Sequence, residues 1–349
     1  DTSTDPASGG SDKAEESGKT VSASEPGEGE SDYTYNALDD GTIEITSYSG
    51  SAENIVIPAQ IDGKSVTRIG NNAFEKSSAK EIVIPDSVTE IGSQAFSGCG
   101  KLTGVSIPNS VTMIRDRAFF DCNSLASITI PDSVTDIELQ AFCNCTSLKS
   151  VTIPASVTYI GDEAFGYYSD IDGSEIKKVD GFKINYVKNT YGHYYATENG
   201  FTDEACLLTN ELDDGTLEIS KYVGKSATSA TYAIPGEING KKVTKIGDSA
   251  FMFCTSLTSV TIPDGVTSID VAAFLGCTSL TSVTIPDSVT SIKSKAFFNC
   301  TSLKSVTIPA SVTNINIGDY ALGYYEIYNT DSCEWEMYKV DGFKINYVK

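Results

Sequence analysis

The cysteines are the residues of this chain that come closest to suggesting chemistry, and six of the nine recur at a fixed interval of 23 residues. A catalytic thiol needs a nearby base to form the thiolate, yet the chain has a single histidine, His193. One histidine cannot serve six equivalent cysteines. We therefore interpret the six as small buried apolar residues. They are Cys99, Cys122 and Cys145 in one group and Cys254, Cys277 and Cys300 in another.

The remaining reactive residue types do not form a recognisable site either. A zinc site is not predicted, because the sequence has one histidine and no CxxC pair. A serine hydrolase is not predicted either, because the sequence has no G-x-S-x-G elbow. A disulfide that involves Cys206 or Cys333 stays an alternative. The Asp-Asp-Gly stretches at 39–41 and 213–215 lack a twelve-residue calcium loop and fit hairpin turns better. We expect no cofactor, no metal ion and no enzymatic activity.

The elements that position these residues follow from a repeat. The stretch NCTSLKSVTIPASVT occurs at 144–158 and again at 299–313. Nine prolines each follow an isoleucine, with steps of 27, 23, 23 and 23 and then 28, 23 and 23 residues within the two groups. Such a period predicts a solenoid. These prolines are Pro58, Pro85, Pro108, Pro131 and Pro154 in the first group and Pro235, Pro263, Pro286 and Pro309 in the second.

A single unit, at 124–145, illustrates the predicted coil. Apolar residues alternate in Ser-Ile-Thr-Ile at 127–130, which predicts a short strand whose isoleucines face inward. Pro131 ends the strand, because proline has no N–H for a continuing ladder. Val134 and Ile137 suggest a second short strand, and the Ala-Phe pair before Cys145 fills the coil. One unit cannot bury this apolar set alone, whereas stacked units can.

The array is itself duplicated, which divides the chain into three parts. Residues 1–32 hold nine acids and two lysines and predict a disordered acidic tether. Residues 33–205, here called the first lobe, and 206–349, the second lobe, each open with Leu-Asp-Asp-Gly-Thr, and each contains VDGFKINYVK. The first lobe has one more 23-residue unit, and its last segment predicts a short helix over 191–198.

Charge and hydropathy limit the partners. The chain has 47 acidic and 25 basic residues, a net charge of −22, so we expect it to bind neither nucleic acid nor an anionic membrane surface. No apolar run approaches the ~20 residues of a membrane span. The sequence begins at Asp1 without Met, which is typical of a mature or trimmed product. A lipid or wall anchor would then lie outside this chain.

The units resemble the BspA-like leucine-rich repeats of bacterial surface proteins. The pattern L-x-x-V-x-I-P-x-x-V-x-x-I-x-x-x-A-F-x-x-C is met by Leu102, Val105, Ile107, Pro108, Val111, Ile114, Ala118, Phe119 and Cys122. It is met again by Leu280, Val283, Ile285, Pro286, Val289, Ile292, Ala296, Phe297 and Cys300. The resemblance implies two leucine-rich-repeat solenoid lobes with short parallel strands, coils of about 23 residues and β-hairpin N-caps. It also implies a location outside a bacterial cell and a role in adhesion or protein binding.

The predicted binding surface is the outward side of the first strand in each coil. Its hydroxyls form two columns, although a solvated sheet face carries Ser and Thr by default. The columns consist of Ser127, Ser150, Ser259, Ser282 and Ser305, and of Thr129, Thr152, Thr261, Thr284 and Thr307. The tyrosine pairs at 167–168 and 324–325 are a second candidate contact, with cap packing as the alternative.

The function that fits these features is non-enzymatic binding by a monomer displayed on the bacterial cell surface. The expected partner is a host or bacterial surface protein. Two alternatives stay open: a glycan-binding module, which would want exposed aromatic platforms on the coils, and a structural spacer that displays another domain.

Overall fold

The structure is a computed structural model that describes residues 30–169, 175–202, 204–224, 230–312, 317–329 and 334–347. The elements of the first lobe, in chain order, are β1 (Tyr33–Ala37), β2 (Ile43–Tyr48), β3 (Asn54–Val56), β4 (Gln60–Ile61), β5 (Lys64–Ile69), β6 (Glu81–Val83), β7 (Glu90–Ile91), β8 (Gly104–Ser106), β9 (Met113–Ile114), β10 (Asp136–Ile137), β11 (Ser150–Ile153), β12 (Tyr159–Ile160), β13 (Tyr167–Ser169), β14 (Ile176–Lys178), β15 (Lys183–Tyr186) and the helix α1 (Tyr191–Glu198). Those of the second lobe are β16 (Cys206–Glu211), β17 (Leu217–Val223), β18 (Ala230–Ala233), β19 (Glu237–Ile238), β20 (Lys241–Ile246), β21 (Leu257–Thr261), β22 (Ser268–Ile269), β23 (Ser282–Thr284), β24 (Ser291–Ile292), β25 (Ser305–Ile308), β26 (Tyr324–Asn329), β27 (Glu334–Lys339) and β28 (Lys344–Tyr347).

The chain winds into a parallel β-solenoid of about 10 turns with coils of about 23 residues, which confirms the fold class predicted from the proline spacing. The best-formed ladder consists of the strands after the Ile-Pro step. In the first lobe it runs in parallel through β2, β5, β7, β9, β10 and β12. In the second lobe it runs through β17, β20, β22 and β24.

The strands before the Ile-Pro step form shorter parallel ladders. In the first lobe these are β3-β6-β8 and β11-β15, and in the second lobe β18-β21-β23 and β25-β28. Alternate residues of these strands point into the coil and outward, as in the exposed–buried–exposed–buried pattern of β11. In all of them except β15 and β28 a proline follows within two residues and ends the strand, because proline cannot donate to a ladder.

Each lobe begins with an antiparallel hairpin, β1–β2 in the first and β16–β17 in the second, as the Asp-Gly turns predict. Gly41 and Gly215 adopt φ of 83° and 78°, which glycine reaches without steric cost. In the first turn the carboxylate of Asp40 accepts hydrogen bonds from the N–H and the hydroxyl of Thr42, at 2.9 and 2.6 Å. These bonds hold the pKa of Asp40 below its usual value.

The core is built around a ladder of phenylalanine rings, one from each coil except the last of the second lobe, where Leu322 takes the place of phenylalanine. In the first lobe the rings of Phe74, Phe96, Phe119, Phe142 and Phe165 stack with centroids 4.8–5.2 Å apart. In the second lobe Phe251, Phe274 and Phe297 stack at 4.8 and 5.0 Å. A tyrosine of the opening hairpin begins each ladder, Tyr48 on Phe74 and Tyr222 on Phe251. The buried apolar residues form two clusters, one in each lobe.

The corner before each Ala-Phe pair has a left-handed backbone. In the first lobe Gln94, Arg117 and Gln140 adopt φ between 53° and 56° at this position. In the second lobe the corresponding Ala272 and Lys295 adopt 57° and 56°. Residues with a Cβ are strained in this region, so the coils keep these corners at a cost that stacking must offset.

The helix α1 lies between the lobes and spans 191–198 as predicted. It packs against β12 and β15 of the first lobe and against β16 and β17 of the second. Lys221 donates a hydrogen bond of 2.8 Å to the hydroxyl of Tyr194, which links the two lobes. Within the described ranges, no helix has the length and apolar character needed to cross a membrane.

The predicted acidic tether at 1–32 lies outside the described residues except for a 3₁₀ turn at Glu30–Asp32. Residues 313–316 also lie outside them, and Ala321 and Leu322, which follow, are buried.

Candidate binding surface

The ten predicted surface residues lie on one side of the coils, and we call this side the strand face. Nine of the ten are exposed and Ser259 is half-buried. Eight belong to strands: Ser150 and Thr152 to β11, Ser259 and Thr261 to β21, Ser282 and Thr284 to β23, and Ser305 and Thr307 to β25.

The predicted strand at 127–130 is wrong, because Ser127 and Thr129 lie in irregular, though exposed, backbone. One local difference from two other coils lies one residue earlier. At this position Thr103 and Thr281 donate their hydroxyls to the carbonyl 23 residues before them, both at 3.0 Å. The unit at 127–130 has Ala126 there and lacks this bond, although Lys80 lacks it too and its strand β6 still pairs with β3.

Where the strands pair, the columns are in register. In the second lobe Ser259 faces Ser282 and Thr261 faces Thr284, and the hydroxyl of Ser282 donates to that of Ser259 at 3.0 Å. In the first lobe Thr152 faces Asn185, whose amide donates to the threonine hydroxyl at 3.4 Å. The spacing between neighbours in a column is that of parallel strands, about 4.8 Å.

The columns extend further than the sequence interpretation recognised. Lys183 and Asn185 on β15 continue them in the first lobe, and Lys344 and Asn346 on β28 continue them in the second. All four residues are exposed. The signal was the alternation in Lys-Ile-Asn-Tyr, which has the same period of two as Ser-Val-Thr-Ile.

Other hydroxyl columns of the solenoid are already used by the fold. Thr112, Thr135 and Thr158 donate to the carbonyl of the threonine one coil earlier, at 3.2–3.4 Å. Ser110 and Ser133 donate to valine carbonyls at 2.6 and 2.7 Å. These side chains hold coils together, whereas the threonines of the strand face make no such bond to a backbone among the described residues.

The ladder formed by the strands after the Ile-Pro step has charged side chains on its outward side, and these form ion pairs with one another. Arg115 bonds Glu90 at 2.7 Å and Glu138 at 3.0 Å, so that one guanidinium bridges carboxylates from two other coils. In the second lobe Lys245 lies 2.8 Å from Glu218 and 2.7 Å from Asp270. The bonds to Asp270 and Glu218 raise the pKa of Lys245. Much of this side's charge is therefore already paired.

The cysteines of the ladder have no feature of a reactive thiol. Cys99, Cys122 and Cys145 are buried, and each Sγ–H donates to a phenylalanine carbonyl at 3.1–3.2 Å. The hydrogen bond with the next cysteine, together with burial, raises the pKa of Cys99 and of Cys254. Cys206 is a free, buried thiol, and burial raises its pKa to about 12. Cys333 lies outside the described residues.

His193 is wholly buried in α1, where its ring stacks on Tyr186 at 4.4 Å between centroids. The N–H of Asn189 donates to Nδ1 at 3.1 Å, whereas Nε2 has no partner among the described residues. Burial lowers the pKa of His193, and Glu204 opposes this in part. In the described part of the chain no serine or carboxylate completes a triad with it.

Other candidate ligand positions are occupied by bonds within the fold. The amide of the half-buried Asn144 donates to Asp121 at 2.6 Å and accepts the N–H of Ser169 at 2.6 Å, so this side chain is engaged within the fold. Over the described ranges, no group of three or more His, Cys, Asp and Glu side chains could hold a metal ion. Tyr167 packs edge-on against Phe201 at 5.7 Å, which is cap packing.

The sequence model of a family described as "BspA type Leucine rich repeat region" matches residues 46–186 and 224–333, in six copies. The chain belongs to the BspA-type leucine-rich repeat family. The matched ranges cover most of the chain and coincide with the stacked coils, so the family predicted from the Ile-Pro repeat is confirmed.

Several solved structures are similar to this chain. A T. pallidum leucine rich repeat protein is 24% identical over 83% of this chain and 97% of its own, with a TM-score of 0.38. A leucine-rich repeat protein from Bacteroides ovatus is 28% identical over 80% and 82%, with a TM-score of 0.40. A leucine rich cell surface protein from Faecalibacterium prausnitzii is 25% identical over 94% and 96%, with a TM-score of 0.31. No curated protein matches the chain.

Proposed function

We propose that this protein is a non-enzymatic binding protein of the bacterial cell surface that recognises a protein partner through its strand face. The observation that carries the proposal is the difference between hydroxyl columns. The threonines of the other columns donate their hydroxyls to the backbone of the preceding coil. In the strand face, Thr261, Thr284 and Thr307 are exposed and make no such bond among the described residues. The strand face therefore keeps donors and acceptors available along a line.

The expected affinity of one lobe is low. Each neutral hydrogen bond contributes only ~0.5–1.5 kcal/mol net, and the described columns carry no Trp or Arg that would serve as a binding hot spot. Two lobes on one chain gain by avidity, because binding of the first raises the effective concentration of the second. We therefore propose that both lobes engage the same partner or a repetitive surface.

The test is a titration of a partner captured from host or bacterial surfaces. Thr152→Lys with Thr307→Lys places a long cation on the strand face of each lobe. A matched control is Thr146→Lys with Thr301→Lys, since these threonines are also exposed and belong to the same two coils. We expect the first pair to abolish binding and the second to leave it unchanged, with both variants folded. Equal loss in both pairs would contradict the strand face as the site.

A glycan array, together with the partner titration, distinguishes the glycan-binding and spacer alternatives. Glycan binding that disappears in Thr152→Lys with Thr307→Lys would keep the surface and replace the protein partner. Binding of neither class would favour a spacer. Antibody labelling of intact producing cells tests the location, and labelling only after lysis would contradict it.

We also propose that the lobes fold as separate units. Each has its own opening hairpin and its own buried cluster. Fragments 33–205 and 206–349 should each be soluble and melt cooperatively, and each should bind more weakly than the whole chain. Aggregation of the second fragment alone would show that the lobes share stability.

A further inference from the structure

Two Asn-Gly pairs occur in the chain, and their surroundings in the structure are opposite. Asn199-Gly200 follows the helix α1, and Asn239-Gly240 forms the turn between β19 and β20. The side-chain amide of an asparagine can react with the backbone nitrogen of the next residue, and glycine leaves that nitrogen unshielded because it has no Cβ. The contacts of each pair therefore decide whether it reacts in the folded protein.

The reacting groups of Asn199-Gly200 are all engaged in hydrogen bonds. The side-chain oxygen of the half-buried Asn199 accepts the hydroxyl of Tyr167 at 2.8 Å, and its Nδ2 donates to the carbonyl of Tyr195 at 2.9 Å. The N–H of Gly200 donates to the carbonyl of Thr197 at 3.0 Å. Both the amide that would be attacked and the nitrogen that would attack it are therefore held in place.

The reacting groups of Asn239-Gly240 are free to meet. Both residues are exposed, and their φ angles are 52° and 79°. The Asn239 amide and the Gly240 N–H form no hydrogen bond with the described residues. A Cβ added at Gly240 would meet no atom within 4 Å. Water therefore reaches the Gly240 nitrogen, and the tip of the hairpin can change its backbone angles without disturbing the coils.

The first lobe shows that the same turn accepts an aspartate. The equivalent turn, between β4 and β5, is Asp62-Gly63, with φ of 51° and 72°. Asp62 is exposed, and its carboxylate accepts a hydrogen bond from the hydroxyl of Tyr35. A carboxylate at position 239 would therefore fit the backbone that the second lobe already has.

We propose that Asn239 is a site of spontaneous covalent modification, at which the side-chain amide becomes a carboxylate. The Gly240 nitrogen loses its proton to solvent and attacks Cγ of Asn239, so that a cyclic imide forms. The Cγ–Nδ2 bond breaks, and the nitrogen takes a proton from solvent and leaves as ammonia. Water then opens the imide, at the bond to Cγ to give aspartate or at the bond to the backbone carbonyl carbon to give isoaspartate. The net reaction consumes one water and releases one ammonia.

The modification adds a negative charge at the junction of the lobes. Asn239 lines a groove of about 550 Å³ together with Lys188 and Glu204 of the first lobe and Tyr232 and Glu237 of the second. The lining thus already holds two carboxylates and one lysine, to which the reaction adds a third carboxylate. The groove is separate from the strand face, so the inference does not depend on the proposed function.

The test is incubation of the folded full chain in mildly alkaline buffer, followed by peptide mapping with mass spectrometry that resolves aspartate from isoaspartate. Conversion at Asn239 should be about ten- to a thousandfold faster than at Asn199, because three hydrogen bonds oppose the reaction at Asn199-Gly200 and each slows it by about two- to tenfold. Equal rates, or faster conversion at Asn199, overturn the proposal.

Two controls separate the fold from the sequence motif. In guanidinium chloride the unfolded chain loses these contacts, so the two pairs should react at similar rates. A ratio as large as that of the folded protein would overturn the proposal, because the neighbouring sequence would then set it. Asp62→Asn places the same motif in the equivalent turn of the first lobe, and residue 62 of this variant should also convert faster than Asn199. Slower conversion there than at Asn199 would overturn the exposed turn as the cause.

Discussion

Replacing Phe119 with leucine separates ring stacking from plain hydrophobic burial. Phe119 is fully buried, and its centroid lies 5.0 Å from those of Phe96 and Phe142, with interplanar angles of 13° and 7°. The second lobe ends its ladder with the buried Leu322, so a coil accepts leucine at this position. Phe119→Leu therefore keeps most of the apolar burial and removes two ring contacts.

The size of the effect follows from these contacts. Each stacked pair is worth ~0.5–1.5 kcal/mol beyond area burial, so Phe119→Leu should lower the free energy of unfolding of the first lobe by ~1–3 kcal/mol. Phe119→Ala adds a cavity and should cost ~3–5 kcal/mol. Phe297 stacks on Phe274 but is followed in the ladder by leucine, so Phe297→Leu should cost roughly half as much as Phe119→Leu.

The assay is urea unfolding followed by far-UV circular dichroism, with the midpoint and slope of each transition fitted separately because stacked repeats need not unfold in one step. Phe120→Leu is the control, since this half-buried ring is next in sequence but outside the ladder. A cost for Phe119→Leu no larger than that for Phe120→Leu would refute the reasoning and leave the rings as space-fillers.

Three further predictions concern charge, backbone and thiols. Burial lowers the pKa of His193, so its contribution to stability is present above the unfolded pKa of about 6.5 and is lost as pH falls below it. Because His193 is the single histidine, the melting temperature of His193→Gln should depend less on pH between about pH 6.5 and 5 than that of the wild type. An unchanged slope of melting temperature against pH would contradict this. Ala272→Gly should stabilise the second lobe by about 0.5–1 kcal/mol, because the strain of a left-handed alanine that it removes exceeds the extra conformational entropy of glycine in the unfolded chain. Ala273→Gly should destabilise the lobe. The opposite order of stability in urea unfolding would count against backbone strain. Cys122 is buried whereas Cys254 is half-buried, so a thiol reagent should modify native protein at Cys122 far more slowly than at Cys254. Rapid modification at Cys122, seen by mass spectrometry, would show an open coil.

The period of the sequence was sufficient to predict the coil, its contents and its caps. Residues that repeat every 23 positions must occupy equivalent places in a stack, so the cysteines beside the Ala-Phe pairs could only lie in a common interior. The hairpins followed from Asp-Gly turns, and α1 was predicted at its observed bounds, 191–198. These inferences needed only local conformation and the periodicity of burial.

Strand pairing could not be predicted in the same way, because it depends on contacts between coils. The unit at 127–130 has the same alternation as its neighbours, yet it forms no strand. The two-residue strands such as Asp136–Ile137 form the longer ladder, although their sequence signal is weaker. The strand face itself stays a prediction, since a hydroxyl column is identical in sequence whether it binds a partner or water.

The stacking of equal coils has a consequence for how such a protein changes over generations. Every interior coil presents the same Phe and Ala surface to both neighbours, so a coil can be added or removed at any interior junction without a new core. The identical eleven-residue stretches CTSLTSVTIPD at 254–264 and 277–287, which are one coil apart, are places where misaligned recombination would do this. Each event alters the reach of a lobe by one strand spacing, about 4.8 Å, and leaves its caps intact. The unequal coil number of the two lobes is the outcome that such recombination produces.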